Sequence, residues 1–136
     1  MLEILSDPAQ KQTHWLGMLA YEEIQKQIAL ANVVVLPSFA EALPMTWLEA
    51  MAMEKALVTS DIGWAKEVMV DGKTGFTENP KNISVYADKI LQLLQNPTLA
   101  KEMGGAARAR VKQKFSTEVV TKRNVEFYDR IIQDKM

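Results

Sequence analysis

The chain has 136 residues, 48% of them apolar and 24% charged, with a net charge of −1, so it is one domain or part of one with enough apolar material for a core. No apolar run reaches the roughly 18 residues of a membrane helix, the opening MLEILSDPAQ has neither the basic nor the apolar region of an export signal, and the absence of cysteine excludes disulfides and thiol chemistry. The expected location is the cytoplasm. Charge is unevenly spread: residues 1–100 carry 7 basic and 12 acidic side chains, and residues 101–136 carry 9 basic and 5 acidic. The basic residues of the tail alternate with acids, as on a solvated helix face. No aromatic-rich basic platform accompanies them, so nucleic acid is not an expected partner.

In chain order, THWLG (13–17) reads as a short strand ending at Gly17. YEEIQKQIALAN (21–32) is helical, with Ile24, Ile28 and Ala31 at helical spacing. VVVLP (33–37) is a β-branched run without polar alternation, the pattern of a buried central parallel strand, and Pro37 ends it. PMTWLEAMAM (44–53) is a helix with Pro44 in its first turn, where a missing N–H costs nothing. ALVTS (56–60) is a second buried strand, GWAKEVMV (63–70) a short helix, and DGKTGF (71–76) a double-glycine turn into a last short strand near Phe76.

From about Ile83 the pattern is helical only. ISVYADKILQLLQ (83–95) is amphipathic, TLAKEMGGAARARVKQKF (98–115) is weakened at Gly104 and Gly105, and STEVVTKRNVEFYDRII (116–132) opens on a cap signal at Ser116 or Thr117. Strand–helix alternation followed by helices predicts an α/β fold with a short, mainly parallel sheet of about four strands, and residues 83–136 form a helical tail.

In such sheets ligands bind beyond the carboxyl ends of the strands. Two loops fall there, Ser38 to Leu43 and Ser60 to Gly63. The first runs into a helix N-terminus, whose free N–H groups favour a phosphate. It contains Glu41, and Glu49 follows about one and a half turns into the helix. A carboxylate can accept two hydrogen bonds from a vicinal diol, and the amides of Leu43, Met45 and Thr46 could face a diphosphate, with Pro44 contributing none. The plain alternative is that Glu41 caps the helix and Glu49 is an ordinary solvated residue. Spacing alone leaves both readings open.

The run VVVLPSFAEALPMTWLEAMAMEKALVTSDIGWAKEVMVDGKTGF (33–76) resembles the C-terminal half of group 1 GT-B glycosyltransferases. That family's pattern is a buried strand, Pro-Ser, a glutamate, and seven residues on a second glutamate in Glu-Ala-Met-Ala. Another strand, a Gly-x-x-x-Glu element and an Asp-Gly-x-x-Gly-Phe turn follow. Here these are Pro37, Ser38, Glu41, Glu49 to Ala52, Gly63, Glu67, Asp71, Gly72, Gly75 and Phe76. The resemblance extends over roughly residues 12–132, with HWLG similar to an earlier strand and LLQNPTLAKEMGGAARARVKQKFS similar to the terminal helices.

The resemblance implies that residues 1–136 are one partial, Rossmann-like three-layer domain, and that the reaction is a retaining transfer of sugar from a nucleotide diphosphate sugar. Glu41 would contact the donor sugar as the catalytic residue, and Glu49 would hold the nucleotide ribose. The backbone from Leu43 to Thr46 would face the diphosphate, and the loop after Gly17 would lie near the base. The family generally needs no metal, and one histidine with no cysteine offers no ligand cluster. No cofactor is therefore expected, with the sugar nucleotide serving as substrate. At Ala42 to Pro44 the sequence departs from the glycines of many members.

A complete member is more than twice this length. This sequence shows no N-terminal acceptor domain and no counterpart of the Lys/Arg pair that binds donor phosphates, Lys11 being in the wrong context. The resemblance therefore implies a fragment, truncated, split or degenerate, that is inactive alone, with membrane contact only through a full-length enzyme. The alternative is a non-catalytic pseudo-transferase or assembly module that binds a partner chain. In the family's sheet order the absent strands lie between THWL and VVVLP. Either THWL is expected to close directly against strand 33–36, or a second chain covers that edge.

Other residues have plainer expectations. His14 is expected to be structural, Trp47 to pack in the core, and Trp15 to stack or pack. Trp64 is equally a pocket wall or a packing residue, Glu67 ties a helix start, and the eight methionines fill core gaps.

Overall fold

The structure, a computed structural model, describes residues 5–134. Its elements are α1 (Asp7–Gln12), α2 (Tyr21–Leu30), β1 (Val33–Leu36), α3 (Met45–Ala52), β2 (Ala56–Ser60), α4 (Ala65–Val68), β3 (Phe76–Glu78), α5 (Ile83–Gln95), α6 (Pro97–Phe115) and α7 (Thr117–Gln133). The three strands form one parallel sheet in the order β1-β2-β3, with Val35 opposite Val58 and Val58 opposite Phe76.

Side-chain alternation along β2 sends successive residues to opposite faces. Leu57 packs with Ile28 of α2, Trp47, Ala50 and Met51 of α3, Val68 of α4 and Ala107 of α6. Ala56 and Val58 pack on the other face with Phe76, Tyr86, Leu93 and Met103. Helices thus cover both faces, and the helical tail is continuous with the core: Tyr86 and Leu93 come from α5, and α6 contributes to both clusters. The Tyr86 hydroxyl donates to the Val58 carbonyl at 2.8 Å, and burial pushes its phenol up to about 12.

The approach of α6 to the sheet depends on one glycine. A Cβ at Gly104 would overlap the carbonyl oxygen of Glu54, in the turn between α3 and β2, whereas nothing lies near a Cβ at Gly105. The two adjacent glycines therefore differ in role. Asn96 caps α6 by accepting from the Leu99 amide, and Ser116 caps α7 by accepting from the Val119 amide.

Three expectations are corrected. Residues 13–17 form no strand, and among the described residues the sheet has three strands instead of about four. A strand needs a neighbour to satisfy its amides and carbonyls, and this segment lies open, with Trp15 69% exposed. Consequently β1 is an edge strand instead of a central one, with no second strand against its outer side among the described residues. THWL does not close against it. Third, Pro44 precedes α3 as its N-cap, and its carbonyl accepts from the Trp47 and Leu48 amides. Helix α1 begins at Ser6-Asp7-Pro8, a helix-start pattern, and was not among the expected elements.

Candidate functional site

Because all three strands are parallel, Leu36, Ser60 and Glu78 end on one edge of the sheet. The loops that follow are tied to one another. Gly63 has φ +54°, and a Cβ there would lie 2.6 Å from the Glu41 carbonyl oxygen, so only glycine lets the loop after β2 rest on the loop after β1. The Ser60 hydroxyl donates to the Leu36 carbonyl at 3.3 Å, and the Asp61 amide to the Glu78 carbonyl at 3.2 Å. The Glu78 carboxylate accepts from the Asn82 side chain and the Asn79 amide and pairs with Lys89 at 3.0 Å. These partners, the Asn82 and Lys89 side chains ahead of the Asn79 amide, hold its carboxyl down at about 2.

Glu41 is half-buried in the loop between β1 and α3, and Glu49 is half-buried on α3. Between them, the amides of Leu43, Met45 and Thr46 have no acceptor among the described residues. They stand at the positive end of an eight-residue helix, in an exposed strip. Glu41 does not cap α3, which has no side-chain cap.

Glu49 is more than a solvated helix residue. Its Oε1 accepts a hydrogen bond from the Tyr21 hydroxyl at 2.9 Å. Tyr21 opens α2, which runs into β1, so the start of α2 and the start of α3 meet at the same sheet edge. Sequence reasoning missed Tyr21, since no local spacing links residues 28 positions apart. Gly17, at φ +69°, lies in the exposed segment before α2, with nothing near a Cβ placed there.

Trp47 is in the core as expected, 1% exposed, and Trp64 is exposed immediately before α4. His14 is exposed. Glu67 is exposed too, and its carbonyl accepts from Arg110, which also donates to the Val68 carbonyl. Arg110 therefore ties the end of α4 to α6. Among the described residues no cluster of three His, Cys, Asp or Glu could hold a metal, and no helix is long and apolar enough to cross a membrane. A cleft of about 320 Å³ lined by Asn32, Lys55, Ala56, Leu93 and Lys101 lies at the amino ends of β1 and β2, opposite this site.

A short parallel sheet covered by helices on both faces, followed by a helical tail, is the architecture of the C-terminal domain of GT-B glycosyltransferases. The model of the family "Glycosyl transferases group 1" matches residues 2–110, and the chain belongs to that family. Alpha-maltose-1-phosphate synthase of Mycolicibacterium smegmatis is 33% identical over an alignment of 120 residues that covers 84% of this chain and 31% of that protein. The solved sucrose-phosphate synthase of Thermosynechococcus elongatus superposes with a TM-score of 0.82 over 91% of this chain and 31% of its own, at 24% identity. A mutant TarM of S. aureus, solved with fondaparinux, alpha-GlcNAc-glycerol and UDP, gives a TM-score of 0.69 at 35% identity, over 75% of this chain and 21% of its own. The chain spans about a third of the length of such curated relatives, or less.

Proposed function

We propose that this chain is the donor-binding portion of a retaining glycosyltransferase, taking a nucleoside diphosphate sugar at the carboxyl edge of its sheet. The observation that carries this reading is the strip of unpartnered amides at Leu43, Met45 and Thr46, bounded by Glu41 and Glu49. Amides at a helix N-terminus suit a diphosphate. Glu49 suits the ribose diol, and Glu41, on the loop that Gly63 supports, suits the donor sugar at the reacting end. The loop after Gly17 would border the base. The UDP in the TarM complex supports a nucleoside diphosphate as the ligand class.

The same strip limits the chemistry. Residues 37–49 contain no Lys or Arg. Charge developing on a departing diphosphate needs preorganised cations or dipoles, and a single helix end supplies only part of that. The chain by itself is therefore a binding unit, with the cations and the acceptor pocket supplied by other parts of a longer enzyme. The ligand makes up the substrate, with no metal or other cofactor required.

Titration of the chain with uridine and guanosine diphosphates, followed by amide chemical shifts, tests this. Shifts are expected at residues 41–49, with binding about tenfold weaker in Glu49→Ala, the effect of losing hydrogen bonds to a charged acceptor. Unchanged binding in Glu49→Ala removes the ribose role.

A second reading rests on the outer edge of β1. Its backbone groups lack a strand partner among the described residues, and Trp15, Leu16 and Phe39 are exposed. An open edge is a template for another chain. Sedimentation should show self-association with rising concentration if a second copy pairs there; a monomer throughout would exclude that occupant.

A further inference from the structure

Among the described residues, the one side-chain hydrogen bond at the candidate site that links two separate helices is Tyr21 to Glu49. Tyr21 opens α2 and Glu49 lies on α3, 28 residues away, and their contact is 2.9 Å. A glutamate side chain has three rotatable bonds, and an unanchored one spreads over many rotamers. A carboxylate also offers about four lone-pair positions. A single hydrogen bond to Oε1 therefore fixes its orientation while leaving Oε2 and a second position on Oε1 open to a ligand. The amides of Leu43, Met45 and Thr46, toward the start of the same helix, fix where a diphosphate would lie.

We infer that Tyr21 is a positioning residue. Its hydroxyl holds the Glu49 carboxylate in the orientation that accepts a cis-diol, and so sets how strongly the site prefers a ribose over a sugar without hydroxyls. This rests on the reading of Glu49 as the diol acceptor. Tyr21 is 54% exposed, so removing its hydroxyl leaves the core untouched.

The test compares uridine, guanosine and adenosine diphosphates with their 2′,3′-dideoxy counterparts, by titration of the unmodified chain, Tyr21→Phe, Glu49→Ala and the double variant. The unmodified chain should bind the ribose forms more tightly. Tyr21→Phe should lower that preference by about 3- to 10-fold, the range of one partly exposed hydrogen bond, while dideoxy affinity and thermal midpoint stay as they were. Glu49→Ala should abolish the preference, and the double variant should match it.

If Glu49→Ala lowers the preference and Tyr21→Phe does not, the positioning role fails and the donor-site reading stands. If neither lowers it, or no nucleoside diphosphate binds, both fail. A drop in thermal midpoint for Tyr21→Phe with the preference intact would mark a structural tie and also overturn the inference.

Discussion

Strands β1 and β2 lie side by side in parallel register, both built largely from aliphatic residues, yet they differ in what surrounds them. β2 has a strand on each side and helices on both faces, and all five of its residues are buried. β1 has one strand neighbour among the described residues, none of its four residues is fully buried, and Val35 is 37% exposed. Burial follows from neighbours as much as from composition. The loop with Glu41 hangs from the less supported strand, while the strand that carries the core ends in the loop with Gly63 that props it up. The proposed site thus sits where the fold is least enclosed, held by contacts from where it is most enclosed.

The largest expected effect breaks or confirms that asymmetry directly. Leu57→Ala should destabilise the chain by about 2–5 kcal/mol in urea unfolding, because it empties a site packed by four helices. Val35→Ala should cost only about 0.5–1 kcal/mol. Equal losses in the two variants would show that β1 is covered in solution, and dilution should then reduce the loss at Val35.

A smaller effect distinguishes two adjacent glycines. Gly104→Ala forces a methyl group into the Glu54 carbonyl, where α6 meets the turn before β2, and should cost about 1–3 kcal/mol. Gly105→Ala meets nothing and should gain about 0.4–1 kcal/mol by restricting the unfolded chain. Melting temperatures should move in opposite directions; a shared direction would mean that α6 packs against the sheet differently.

Much of this arrangement was legible from sequence, for reasons that can be named. ALVTS reads as a buried strand and is one, and ISVYADKILQLLQ, from Ile83 to Gln95, matches α5 residue for residue because amphipathic periodicity and Pro97 bound it. The helix with Glu49 and the loop with Glu41 were legible from residue pattern, whereas a sugar-nucleotide role for the two glutamates came from family resemblance and is a proposal. What was not legible depends on partners distant in the chain. THWLG has strand-like composition but no neighbour to pair with among the described residues. VVVL looks central but sits at an edge. The packing role of Gly104 is set by a turn 50 residues earlier. Tyr21 reaches Glu49 only because α2 and α3 start on one side of the sheet.

The smallest effect concerns the opposite end of the same sheet edge. Where the β1 loop rests on Gly63 and Ser60, the end of β3 is pinned by a polar cluster centred on Glu78. Its carboxyl is held at about 2, below the ordinary 4.5, by the Asn82 side chain first, then Lys89, then the Asn79 amide. A carboxyl depressed in the folded state stabilises fully above the unfolded value and loses that contribution as pH falls through the folded one. The stability gap between the unmodified chain and Glu78→Gln should therefore be constant above about pH 4.5 and close between there and pH 2. Asn82→Ala should narrow the gap more than Lys89→Met, following the order of the causes. Lys89 also bonds the Thr77 carbonyl at 2.6 Å and lies 5.9 Å from the Phe76 ring centre, so Lys89→Met should lower stability at neutral pH as well. A gap that stays open down to pH 2 would show that the cluster is not formed in solution. The end of β3 would then be no better anchored than the loop that carries Glu41.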